Sequence, residues 1–150
     1  MDTLKSLRLS RWWGSCVVAC LVWSGISYAA APAAVASETD DTRLGADRIE
    51  IGGSVRGTMA PPTDSVDWFY FELEEESTLK LGLERREGEG TLRMNLSKAT
   101  GEDIGDVDTS GASGSLELTL APGLYYIELT ADAAATYMLT VAKRKKPPSR

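Results

Sequence analysis

Beyond residue 47 the chain alternates apolar and polar residues in short runs, each bounded by Gly, Pro, Asp or Ser. In Leu120-Ala-Pro-Gly-Leu-Tyr-Tyr-Ile-Glu-Leu129 the alternation puts Tyr125, Ile127 and Leu129 on one side. In Asp64-Ser-Val-Asp-Trp-Phe-Tyr-Phe-Glu-Leu73 it does the same for Phe69, Phe71 and Leu73. A period of two marks a half-buried strand, because successive side chains of an extended chain point to opposite faces. The period returns at Leu79, Leu81 and Leu83, at Leu92, Met94 and Leu96, at Leu116, Leu118 and Leu120, and at Tyr137, Leu139 and Val141. No stretch after residue 37 carries a helical stripe. Eight or nine short strands joined by turns predict an all-β sandwich or barrel. Its expected core is Phe69, Phe71, Leu79, Leu81, Leu83, Leu92, Met94, Leu96, Leu118, Tyr125, Ile127, Leu129, Tyr137, Leu139 and Val141.

Turn residues set the predicted boundaries. Strands at 48–51 and 54–59 flank Gly52-Gly53, and Pro61-Pro-Thr-Asp64 interrupts the chain before a strand at 66–73. A strand at 78–84 follows the charged turn Glu74-Glu-Glu-Ser77, and Glu87-Gly-Glu-Gly90 leads to the next. Residues 98–114 are rich in Gly, Asp, Ser and Thr, with room for one short strand near 104–107. Gly123 follows Pro122 where a type II turn needs positive φ. Asp64 and Asp67 suit the turn entering a strand, where a carboxylate caps local backbone N–H groups.

The first 36 residues have a different character. Lys5, Arg8 and Arg11 precede a run without charge that extends to Ser37, with its apolar centre at residues 12–23. A basic start, an apolar centre and small residues after it are the parts of a secretory signal peptide. Ala34-Val-Ala36 fits small-x-small cleavage, and Ser27-Tyr-Ala29 is the second site. Two rival readings are a lipobox at Val17-Val-Ala-Cys20, which would lipidate Cys20, and an uncleaved span. Both cysteines, Cys16 and Cys20, lie in this leader, so a processed chain has no thiol chemistry. The predicted organisation is a signal peptide over 1–36, an acidic linker over 37–46, the sandwich over 47–142 and a basic disordered tail over 143–150.

Charge and composition narrow the chemistry. Residues 37–142 hold 21 acidic and 8 basic residues, a net of −13, which repels a nucleic acid backbone. The chain has no histidine, which removes Ser-His-Asp triads, imidazole bases and histidine zinc ligands. Paired carboxylates remain, with Glu72, Glu117 and Glu128 on outward strand positions, where a solvated face is the better explanation. Asp106, Asp108 and Ser110, with Gly111 next and Glu117 at position 12, follow the oxygen-ligand spacing of a calcium loop, against the alternative of a solvated acidic turn. Trp68, Tyr70, Tyr126 and Met138 fall outward if the alternate residues form the core. They make either a face that grips sugar or peptide, or one covered by a loop or terminal segment.

Four marks in order, Ile51-x-x-x-Val55-x-Gly57, Asp64-x-x-Asp67-Trp-Phe-x-Phe71, Pro122-Gly-x-Tyr-Tyr-Ile-x-Leu129 and Tyr137-x-Leu-x-Val141, resemble the bacterial pre-peptidase C-terminal domain. The resemblance covers about residues 48–142. It implies a small antiparallel β-sandwich, jelly-roll-like in topology, on an exported protein, an appendage and not a catalyst, here free of the usual peptidase domain. It also implies calcium sites in linker and loops, which here means Asp40, Asp41 and Asp64. The combined expectation is an exported, periplasmic or extracellular, non-catalytic module with no cofactor beyond calcium. Its expected partner is a protein or cell-envelope polysaccharide, and a membrane only through an uncleaved leader or a lipidated Cys20. The alternatives are a carboxylate-based glycan hydrolase and a calcium-stabilised carbohydrate-binding module.

Overall fold

The computed structural model describes residues 33–36, 41–109 and 111–144. These form ten strands: β1 (Ala34–Val35), β2 (Asp47–Arg48), β3 (Ser54–Met59), β4 (Val66–Leu73), β5 (Ser77–Gly88), β6 (Leu92–Lys98), β7 (Asp103–Asp108), β8 (Ser113–Leu120), β9 (Gly123–Ala131) and β10 (Ala135–Lys143). One sheet has the order β1-β3-β10-β5-β8 and the other β2-β4-β9-β6-β7. The eight longer strands alone run first-eighth-third-sixth and second-seventh-fourth-fifth, which is the jelly-roll order. They pair antiparallel, while the two-residue β1 and β2 run parallel to β3 and β4. Most of the expected leader and tail, and residues 37–40, lie outside the described residues.

The two inner faces meet in one apolar core. Phe69, Phe71, Leu79, Leu81, Met94, Leu96, Ile127, Leu129, Tyr137, Leu139 and Val141 have no exposed surface. Of the expected core only Leu118 is less than buried, because β8 is the outer strand of its sheet and lacks a neighbour on one side. Ile49, Val55, Met59, Leu73, Leu120 and Ala135 join the core besides. Two ring contacts brace it, the first within one sheet and the second between the sheets. Phe71 stacks on Tyr125 at 5.4 Å between centroids, and Phe69 meets Tyr137 edge-on at 6.4 Å. The Tyr125 hydroxyl donates to the Ala121 carbonyl at 2.7 Å, which ties the ring to the turn that precedes its own strand. Gly123 in that turn has φ +155°, away from the roughly +80° of a type II turn, so the chain is already extended as it enters β9.

Some boundaries differ from expectation. The strand expected at 48–51 shrinks to Asp47–Arg48, because the Gly53 amide bonds back to the Glu50 carbonyl at 2.8 Å and turns the chain early. β5 runs on to Gly88, held by β10 as far as the Gly88↔Ala135 pair. At the other end β10 takes in Lys143, and the Arg144 amide donates to Thr78 at 2.8 Å. Two residues of the expected tail therefore belong to the sandwich. Lys143 pairs with Glu75 and Arg144 with Glu117.

Candidate functional site

On β4, Asp67 is in phase with Phe69, Phe71 and Leu73, so its carboxylate sits on the core face, 3% exposed. It is not the turn cap that its neighbourhood to Asp64 suggested. A buried carboxylate is costly without hydrogen-bond donors. The Tyr137 hydroxyl, reaching across from β10 of the opposite sheet, donates to Asp67 Oδ2. Gly57 makes room for that reach. It lies opposite Tyr137 in the β3–β10 register, and a Cβ there would overlap the tyrosine ring and hydroxyl. Three separate sequence marks thus converge on one buried contact.

Asp64 stands just outside, in the turn closed by the Ala60 amide to the Asp64 carbonyl at 2.8 Å. Asp41 arrives from residues 41–46, which lead into β2 at the rim of its sheet. One carboxylate oxygen from each of Asp41, Asp64 and Asp67 lies within 4.8 Å of the others. Burial is graded: Asp41 is exposed, Asp64 half-buried and Asp67 buried. Like charges at this spacing repel, and a bound cation would remove the repulsion. The donor set is all carboxylate oxygen. It suits calcium, which takes about six to eight oxygen ligands, and not zinc, which favours nitrogen and sulfur.

The outer face of the same sheet carries the aromatic residues. Trp68 and Tyr70 alternate outward from β4, and Tyr126 lies opposite Tyr70 in register with 6.1 Å between the ring centroids. All three are half-buried. Arg43 accounts for part of the cover. Its guanidinium lies 4.2 Å from the Tyr126 ring centre and donates to the carbonyls of Lys98 and Ala99 at 2.9 and 2.8 Å. Residues 41–46, expected as a linker, therefore pack on the sandwich and supply both Asp41 and Arg43. Met138 also points outward, but from β10, on the other sheet.

The fold is shared with solved structures. The chain is similar to the pre-peptidase C-terminal domain of collagenase from Bacillus anthracis, with a TM-score of 0.58 and 19% identity, over 64% of this chain and 93% of that one. The chain has the pre-peptidase C-terminal fold. PliG of Aeromonas hydrophila, a periplasmic inhibitor of g-type lysozyme, aligns at a TM-score of 0.45 and 12% identity over 75% of this chain and 100% of that one. No family model matches the sequence, and no curated protein matches it.

Within the pre-peptidase C-terminal fold the calcium-loop residues fall apart. Asp106 and Asp108 lie on β7, an extended strand where a calcium loop would have to curl, and both are exposed. Asp108 is engaged by Arg93 at 2.7 Å, a hydrogen bond that raises the arginine's pKa above its ordinary value. Glu117 projects from the outer face of the opposite sheet and pairs with Arg144 at 2.9 Å. Ser110 lies outside the described residues. The carboxylates of Asp106, Asp108 and Glu117 form no cluster among the described residues.

The proposed hydrolytic carboxylates are equally scattered. Glu72 and Glu128 share a sheet face, but Glu72 is opposite Leu124, four residues from Glu128, about 13 Å away at strand rise. Glu117 is on the other sheet. A groove of about 510 Å³ does hold Glu50, Glu72, Glu74 and Glu75. There Lys143 holds the Glu75 carboxyl below its ordinary 4.5 by hydrogen bonding and charge, the reverse of what a general acid needs.

Proposed function

We propose that the chain is an exported, non-catalytic jelly-roll module that binds a protein or cell-envelope polymer through the sheet face bearing Trp68, Tyr70 and Tyr126. The observation that carries this reading is the set of three half-buried rings on one outer face, with Tyr70 and Tyr126 at 6.1 Å. Rings on a flat sheet offer large, rigid contact area at low entropic cost. The basic and apolar leader supports export, and the scattered, solvated carboxylates support a role without catalysis. Periplasm and cell exterior both suit a chain whose folded part needs no thiol.

The test uses Trp68, the sole tryptophan after residue 23. Its fluorescence should shift when the exported protein is titrated with soluble envelope polymer or an enriched envelope protein fraction. Retention on envelope material should fall at least tenfold for the Trp68→Ala, Tyr126→Ala double variant. Equal retention of wild type and double variant would refute the aromatic face. Release of reducing sugar from envelope glycan by wild type, lost in Glu72→Gln or Glu128→Gln, would favour the hydrolase instead.

A second reading rests on the aspartate cluster, and makes the module calcium-stabilised. Calcium that binds the folded state alone raises its melting temperature. With millimolar calcium the melting temperature of wild type should rise, and chelation should reverse the rise. Asp41→Asn with Asp64→Asn should abolish it, whereas Asp106→Asn with Asp108→Asn should leave it intact. The opposite pattern would return the site to the β7 end, and no rise in wild type would remove calcium altogether.

A further inference from the structure

β1 has only two residues, and it covers two of the six residues of β3 at the rim of its sheet. Ala34 and Val35 run parallel to β3 opposite Val55 and Arg56, and the Ala36 amide donates to the Arg56 carbonyl at 2.9 Å. The Val35 side chain is 80% exposed, so β1 contributes backbone pairing, while Ala36 packs against the core. Without β1, β3 would be the outer strand along its whole length, and the rim at Val55 and Arg56, which β1 now pairs, would be open as well. Open rims of that kind invite pairing with other chains, and folded proteins cover them.

This bears on which of two small-x-small sites is cut. A cut after Ala36 removes the folded module's own rim strand and leaves a charged amino group at Ser37. A cut after Ala29, in Ser27-Tyr-Ala29, retains the strand whole. It also fits a leader of about 15–30 residues, which a cut after Ala36 exceeds. The geometry points to cleavage after Ala29, giving a mature chain that starts at Ala30 and keeps residues 34–36 as a permanent cap on β3. The inference rests on the export reading, and the outcomes below separate the two.

The full-length precursor is produced in a secreting bacterium, and the exported form is characterised by intact mass and N-terminal sequencing. The expected first residue is Ala30. A first residue of Ser37 overturns the inference and leaves export standing; a lipidated Cys20 does likewise, and retention of Met1 overturns both. A bulky residue at the position before the cut blocks cleavage, so Ala29→Tyr should lose the Ala30 species and Ala36→Tyr should keep it; the reverse overturns the assignment. A precursor lacking residues 33–36 should still be cut after Ala29. Its exported form should melt lower than wild type and self-associate on size-exclusion chromatography. Unchanged melting and an unchanged elution volume would overturn the capping role.

Discussion

The Tyr137 hydroxyl on Asp67, above Gly57, is the contact on which the molecule's polar interior turns. Removing one partner of a buried hydrogen bond leaves the other unsatisfied, which costs more than the bond's net contribution. Tyr137→Phe keeps the ring and its edge contact with Phe69 but removes the donor. Urea denaturation should show a loss of about 1–3 kcal/mol; no loss would mean that other donors satisfy the carboxylate unaided. Apolar positions behave differently. Phe71 and Ile127 have no exposed surface, so truncating either to Ala leaves a cavity and should cost on the order of 2–5 kcal/mol. A cost below about 1 kcal/mol would contradict their place in the core. Asp67's side was legible in the sequence, since it keeps phase with Phe69, Phe71 and Leu73; its charge disguised it as a turn residue. Tyr137's partner was not legible, because it lies 70 residues away and on the opposite sheet.

At the scale of elements, the ends of strands are fastened by exposed charge pairs. Lys143, the last residue of β10, grips Glu75 in the turn before β5 at 2.5 Å and holds that carboxyl below 4.5. A carboxyl lowered by folding contributes stability that is present above its unfolded value and lost as pH falls through the folded one. Lys143→Met should return Glu75 to about its ordinary 4.5 in an NMR pH titration, and should remove a part of the acid sensitivity of unfolding. An unmoved Glu75 would show that the pair does not form in solution. Lys98 shows the opposite sign: its pairing with Glu102 raises the lysine, so that contribution is lost only at alkaline pH. The segment 41–46 shows why an element can hide from sequence. Polar, acidic and without a period, it reads as a linker. Its place comes from one cation–π contact and the two adjacent carbonyls of Lys98 and Ala99, at the far end of β6, with only the Thr42–Gly45 turn of its own.

For the molecule as a whole, an acidic body of net −13 over residues 37–142 sets a field that favours expansion. Its six ion pairs among the described residues are all exposed and individually weak. Screening should therefore relieve more repulsion than attraction. The melting temperature is expected to rise from low to physiological sodium chloride; a fall would mean that the pairs outweigh the net charge. The sequence alone determined the all-β class, the strand positions within a few residues and the inward face of almost every strand, because a period of two is a local property of an extended chain. The jelly-roll strand order was expected from resemblance and is decided by pairing in space. The distribution of carboxylates was decided by tertiary structure alone. Spacing grouped Asp106, Asp108 and Glu117 along the chain, yet strands cross the sandwich and put them on two outer faces. Asp41, Asp64 and Asp67 meet instead, because residues 41–46 pack on the sandwich and bring the first to the other two. Metal-like spacing in a sequence presumes a curled loop, and an extended strand separates what a loop would gather.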